Sequence, residues 1–364
     1  MVKSSLISLF TRFFIKMIIS ATARHYIGNE ATLEEFKGGN GIIDRTVNSL
    51  GKEARNLNKR GYNVKHKLRV DYDSRFGQDN FLEVKKLGEE IRKEGIGFNL
   101  QVGMGPGYSF LEGLLFRDCD VSIVYGADQI HINKNLDCFA EVCFRLNTEN
   151  KVLGGAARPN KVLLSDVPEG DLMRQIHETY YTLAAGGYEG RKIDNPFNFD
   201  TSNGSSLYIG VNSEGGFGDL TSGFAAINHN STRAQIVCQN LVNIANNSNP
   251  NNFCSEYGIF INEGIKNIVM IYIDFSENMF YRDKGKLSEK DIKQEIKKRE
   301  KFIKSHTYEL GKIPYIKDKL VKILRDNKII EIIERNIVGY ELKNSKRFIN
   351  RVNVLMIEGL EGKL

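Results

Sequence analysis

A chain of 364 residues with 41% hydrophobic residues can bury one large α/β core or two smaller ones. Its net charge of +6, from 51 Lys+Arg against 45 Asp+Glu, is too mild for a dedicated nucleic-acid binder and suits anionic small molecules or a membrane surface. Cys119, Cys138, Cys143, Cys238 and Cys254 include no CxxC pair, and their odd number reads as reduced core thiols of a cytoplasmic protein rather than a zinc site.

The N-terminal stretch SSLISLFTRFFIKMIISATA has the look of a signal peptide, but Arg12 and Lys16 interrupt it and it is too short to span a bilayer. The expectation is an amphipathic lead-in and a first buried strand around Phe14 to Ser20; a membrane-touching helix is the alternative. A polar, Gly-rich connection follows over 21–41. Ile43, Val47, Leu50, Ala54 and Leu57 then recur at helical spacing, and Gly61 ends that helix. A strand over 62–74 finishes on Asp71 and Asp73. An amphipathic helix over 80–95, a short strand over 98–103, a helix over 108–118 and a strand over 121–128 complete the first third. That alternation predicts a parallel sheet covered on both faces. Ligands bind such sheets beyond the carboxyl ends of the strands, where Asp71, Asp73 and Asp128 all fall.

Further on, the patterns predict a helix over 136–150, a strand and turn over 151–161 and a helix over 170–187. Residues 187–216, rich in Gly, Asn and Ser, read as a long loop. Order resumes at 219, with a helix over 255–264 and a buried strand over 265–275. From Ser288, which forms a capping box with Asp291, Lys, Glu and Ile dominate and predict a helical appendage.

The run LQVGMGPGYSFLEGLL admits two readings. Gly103, Gly105 and Gly107, between a strand and a helix, suit the nucleotide loop of an S-adenosylmethionine-dependent methyltransferase, with Asp128 on the ribose. That reading starts the sheet at residue 98 and leaves the earlier strands and their acids unused. The other uses residues 14–288. VDYDSRFGQDNFLEVKKLG, GMGPGYSFLEGLLFRDCDVSIVYGADQIHIN, KVLGGAARPNK, DLTSGFAAIN and SEYGIFINEGIKNIVMIYIDFSENMFYRDKGKLS resemble, in order, pieces of the family 2 glycosyltransferases of the GT-A fold, especially the polyprenyl-phosphate sugar synthases of dolichyl-phosphate-mannose type.

The resemblance implies a GT-A domain over 1–287, with a nucleotide-sugar-binding half at 14–135 and an acceptor half at 136–287, and a Lys-rich helical region at 288–364. The fold it implies is Rossmann-like, a mostly parallel sheet with helices on both faces. The implied reaction moves a hexose from a GDP- or UDP-sugar to an acceptor, which can be a polyprenyl phosphate, with inversion. Asp71, Asp73, Gly105, Asp128, Arg158 and Arg174 stand at its donor-binding positions. Asp128 and Gln129 are its metal ligands for Mg2+ or Mn2+, although Gly126 replaces the usual first acid of the motif, which puts metal dependence in doubt. Arg158 and the metal would stabilise the leaving diphosphate. Asp219 and Glu256 are the acids that could deprotonate a hydroxyl acceptor, whereas a phosphate acceptor needs no base. Ser222, Arg282 and Lys286 lie on the implied acceptor side.

Each residue also has a plainer interpretation. Asp128 can cap a turn, Asp71 and Asp73 can be solvated turn residues, and Arg174, Arg282 and Lys286 can be surface charges. The basic tail suits docking on an anionic membrane or a homo-oligomer interface. A non-catalytic nucleotide-sugar or lipid binder of the same fold is the third alternative. The histidines, His177 and His306 among them, have no metal-ligand spacing and read as structural or surface residues.

Overall fold

The computed structural model describes residues 17–28, 30–38, 42–115, 118–127, 136, 140, 153–157, 168–185, 197–200, 206–209, 224–248, 254–264, 268–273, 289–336 and 342–364. The expected N-terminal lead-in lies outside these residues, as does most of the expected helix over 136–150. Two compact units emerge, Met1–Gly154 with Gly223–Cys238, and Gly155–Ser222 with Gln239–Leu364. The C-terminal helices share the second unit with Pro168–Ala184.

The first unit is α/β with a mostly parallel sheet, compatible with a Rossmann-like fold. Strands β1 (Met17–Ile27), β2 (Tyr62–Tyr72), β3 (Gly97–Val102) and β4 (Val121–Gly126) run parallel in the order β3-β2-β1-β4. Helices α1 (Glu30–Lys37) and α2 (Ile42–Lys59) lead from β1 to β2, α3 (Gly77–Lys93) from β2 to β3, and α4 (Gly105–Leu114) from β3 to β4. β5 (Leu153–Ala157) pairs through Leu153 and Gly154 with β8 (Ala225–Asn228), which runs antiparallel to β4.

β1 is longer than its sequence suggested: residues 21–27, expected in a connection, are paired strand, and the expected connection also contains α1. The reason is the chemistry of its two faces. On one face Ile19, Ala21, Ala23 and Ile27 are buried. His25 belongs to this face and stacks on Phe36 of α1 at 5.8 Å. Phe36 in turn lies 6.4 Å from Phe98 of β3. α3 approaches here so closely that a Cβ at Gly88 would sit 1.9 Å from the Phe98 ring. Of the predicted α2 stripe, Val47, Leu50, Ala54 and Leu57 are buried, and Gly61 closes the helix at φ 89°, a conformation that favours glycine.

The other face, beneath α4, is polar. A Cβ at Gly113 of α4 would meet Val124 at 2.4 Å and Thr22 at 3.3 Å, which fixes α4 over the Thr22 face of the sheet. By strand alternation Ser20, Arg24 and Tyr26 share that face with Thr22, and register adds Arg69 and Asp71. Ser122 answers the Leu114 carbonyl at 2.8 Å and meets His229 Nε2 at 2.9 Å. Burial pushes the Cys119 thiol up to about 12. Cys119 and Cys238 are buried free thiols, as expected.

The second unit holds a hairpin of β6 (Phe197–Asp200) and β7 (Ser206–Ile209), with β7 antiparallel to β9 (Ile268–Ile273). The stretch read as a 187–216 loop therefore carries two strands. Their Gly, Asn and Ser neighbours hid them from a pattern search. Around them come α5 (Pro168–Ala184), α6 (Ala234–Asn247), which starts in the first unit, and α7 (Cys254–Glu263). The chain ends in α8 (Glu289–Gly311), α9 (Pro314–Leu324), α10 (Asn327–Asn336) and α11 (Leu342–Leu360). α8, α9 and α11 pack against α5. Among the described residues no helix is long and apolar enough to cross a membrane.

Candidate functional site

The carboxyl ends of β1, β2 and β3 form a rim in the first unit. Asp71 is the penultimate residue of β2 and only 1% exposed. Its Oδ1 accepts the Met104 N–H at 3.1 Å, and the Gly105 N–H bonds the same carboxylate. Its Oδ2 is buried without a hydrogen-bond partner among the described residues. Burial raises the Asp71 pKa, against the pull of the two amides and of Arg69.

Asp73 caps the turn Ser74–Phe76. Its Oδ1 accepts from the Arg75 amide at 3.0 Å and its Oδ2 from Arg75 Nε at 2.8 Å. Those bonds hold its carboxyl below the ordinary value. Tyr26 pairs in register with Asp71, and a Cβ on Gly28 would come within 2.2 Å of the Tyr26 ring. Partial burial, then the charges of Asp73 and Asp71, raise the Tyr26 hydroxyl.

Below the rim Arg69 is fully buried. It pairs with Glu112 of α4, donates to Gln101 of β3 and to Ser109 at 3.2 Å, and lies 5.5 Å from the Tyr108 ring. Burial lowers it to about 10, so it stays charged at neutral pH. Nearer the strand ends, Arg24 of β1 lies 5.0 Å over Phe110 and donates to the Pro106 carbonyl at 3.3 Å.

The glycine turn is closed. Gly105, Pro106 and Gly107 are the buried first residues of α4. The Met104 and Gly105 amides are taken by Asp71, and Pro106 has no N–H to offer. Gly105 at φ 80° lets the chain turn into α4. β3 and β4 are also separated by β2 and β1, three strand spacings or about 14 Å. A nucleoside cradled at this turn would be far from the end of β4, which counts against the methyltransferase arrangement. β2 and β4 stand two spacings apart, about 10 Å.

Asp71, Asp73 and Gly105 thus meet at one rim. Arg174 lies on α5 in the second unit, 3.7 Å from Glu178, and Glu256 belongs to α7 of that unit. Asp128, Gln129, Arg158, Asp219, Ser222, Arg282 and Lys286 lie outside the described residues. The expected ligands of Mg2+ or Mn2+, Asp128 and Gln129, lie outside the described residues, and Gly126, beside Arg24 in register, brings no side-chain ligand. Among the described residues no group of three or more His, Cys, Asp or Glu could hold a metal ion.

Sequence patterns missed Tyr26 and Arg24, because their segment was assigned to a connection. They also missed a buried cluster in the second unit. Tyr181 Oη lies 2.7 Å from His177 Nε2, 2.9 Å from His306 Nδ1 and 3.2 Å from Thr307 Oγ1. The four-residue spacing of His177 and Tyr181 on one helix was the legible signal. Burial first, then His306 and Arg299, depress His177 well below 6.5. The unfolded chain therefore binds the extra proton below about pH 6.5, and the folded chain does not. Stability is expected to be full above that pH and to fall by up to about 1.4 kcal/mol per pH unit beneath it, with His66, depressed by burial, adding to the slope. Urea midpoints between pH 7.5 and pH 5 check this (roughly the window of an ordinary imidazole); a flat profile would contradict it.

Comparison with protein-family models, curated proteins and solved structures finds no match to the chain.

Proposed function

We propose that the chain is a hexosyltransferase with a GT-A type donor domain, which binds a nucleoside-diphosphate sugar at the rim of β1, β2 and β4. The supporting observation is a sheet ordered β3-β2-β1-β4 whose second strand ends in a buried aspartate with one oxygen unmatched among the described residues. In such sheets ligands lie outside the strand ends where the order reverses, here between β1 and β4. A buried acceptor without a donor is a standing cost unless a ligand N–H or O–H answers it. Asp71 then takes a hydrogen bond from base or ribose, with Asp73 beside it. The diphosphate lies toward β4.

The sugar C1–O bond to the diphosphate breaks and the acceptor oxygen bonds C1 from the opposite face, through an oxocarbenium-like transition state. A polyprenyl phosphate attacks as an anion. A hydroxyl acceptor would need a carboxylate base for its proton. The basic tail is the proposed contact with a membrane surface.

The test is thermal unfolding of the full chain with GDP and UDP, paired with hydrolysis of GDP- and UDP-hexoses. A diphosphate at 100 times its Kd is expected to add about 2.7 kcal/mol of stability. No shift with either nucleotide, or a shift with S-adenosylhomocysteine instead, would overturn the proposal. Binding without turnover would point to the non-catalytic binder.

A further inference from the structure

We propose that the open edge of β3 joins a second copy of this chain, strand to strand and antiparallel, about a two-fold axis at Gln101. The pairing does not depend on the function proposed above. β3 stands last in the sheet, with β2 on its inner side and no strand beyond it among the described residues. Residues 77–115, which hold β3 and the helices on either face of it, are described without a break. In a parallel pair, successive residues send their N–H and C=O groups to opposite sides of the strand. The Gly103 amide donates to the Tyr72 carbonyl at 3.0 Å, so Gly97, Asn99, Gln101 and Gly103 face β2. Phe98, Leu100 and Val102 therefore face outward.

Both ends of this edge are closed. Arg92 of α3 donates to the Phe98 carbonyl at 2.7 Å, and Gly103, at φ 66°, turns the chain toward α4. Leu100 and Val102 lie between, and their outward amides and carbonyls have no partner among the described residues. Two residues so placed match their own copies. With the axis at Gln101, Leu100 of one chain stands opposite Val102 of the other, and each such pair exchanges two hydrogen bonds. No outward group between the Arg92 cap and the glycine turn is then left over. An extended peptide would meet the same two residues and no further ladder.

A second copy also brings apolar side chains to the same place. Phe98 lies under Gly88 of α3, so Leu100 and Val102 belong to the α3 face as well. Opposite residues of an antiparallel pair share a face, so Val102, 47% exposed, is covered by Leu100 of the other chain. α3 runs back along β3: Gly88 stands over Phe98, and Phe81 lies 5.5 Å from the ring of Tyr72, the register partner of Val102. That descent sets Leu82, 52% exposed, level with the axis. Asn80 and Glu83 hold Lys37 of α1 on the inner flank of α3, which leaves Leu82 on the flank toward the edge. The two copies of Leu82 therefore approach each other over the joined sheet, and two exposed leucines and two exposed valines leave water together.

Sedimentation of the full chain from about 1 μM to about 100 μM, with amide exchange read at both ends of that range, tests the proposal. A concentration-dependent dimer is expected, with the Leu100 and Val102 amides slowed at the high end. Val102→Pro removes an outward amide that β2 does not use, and Leu82→Glu brings two carboxylates together near the axis. Each is expected to raise the dissociation constant of the dimer at least about tenfold, with melting midpoints at the low end within about 3 °C of the wild type. A chain that stays monomeric at about 100 μM overturns the proposal and leaves this edge to water or to an extended peptide of another protein. A dimer that the folded variants leave intact also overturns it, as does one whose Leu100 and Val102 amides exchange as fast as in the monomer. If Val102→Pro does not fold, Leu82→Glu and the exchange rates decide the matter.

Discussion

Arg69→Ala is expected to destabilise the chain by about 3 kcal/mol, the largest single effect on stability foreseen at the rim. Arg69 is fully buried, and its guanidinium ties β2 to α4 through Glu112 and Ser109 and to β3 through Gln101. Truncation leaves Gln101 Oε1 without its Arg69 donor and Glu112 with Gln101 Nε2 at 3.2 Å in place of the guanidinium, and opens a void between sheet and helix. Glu112 keeps 36% of its side chain exposed and can rehydrate, which sets the estimate at the lower end for a broken buried pair. The double variant Arg69→Met, Glu112→Leu removes both charges and fills the space. It is expected within about 1 kcal/mol of wild type. Urea midpoints at constant slope measure both. A loss below about 1 kcal/mol for Arg69→Ala would mean that the ion pair contributes little to holding α4 on the sheet.

Asp71→Asn is expected to separate binding from stability. Burial raises the Asp71 pKa, so the folded chain holds this proton more tightly than the unfolded chain. Its contribution to stability is therefore greatest below about pH 3.9 and is lost as pH rises through the folded value, leaving a penalty at neutrality. Asparagine keeps an oxygen for the Met104 amide and removes the buried charge. Urea stability at pH 7 (roughly the working range of the assay) should stay equal or rise. Nucleoside diphosphate affinity should fall roughly 10- to 100-fold, because a charged acceptor of base or ribose is gone. Titration calorimetry and urea unfolding on one preparation measure both. Loss of stability with unchanged affinity would make Asp71 only the cap of the glycine turn.

Much of the first unit could be read from periodicity. The α2 stripe, β2 ending on its acids and the short β3 and β4 lie where alternation and helical spacing put them. β1 was cut short because its α4 face, Ser20, Thr22, Arg24 and Tyr26, is polar although the strand is central. A buried polar layer looks like surface in a sequence, and only the partner helix shows otherwise. The hairpin β6–β7 was hidden by its polar surroundings. The glycine turn was ambiguous for a different reason: sequence gives the glycines but not the partner of their amides, which is Asp71, 33 residues earlier. The spacing of His177 and Tyr181 could be read in the sequence, but their meeting with His306 could not, since it joins α5 to α8 across 125 residues.

The central claim is that a sugar nucleotide's nucleoside end binds where β1 and β2 finish. Amide hydrogen exchange of the full chain, with and without GDP or UDP, tests it most directly. Slowed exchange in the peptides carrying Tyr26 to Gly28 and Asp71 to Arg75 is the predicted result. Unchanged exchange there, or protection confined to Gly103 to Gly107 on adding S-adenosylhomocysteine, would contradict it.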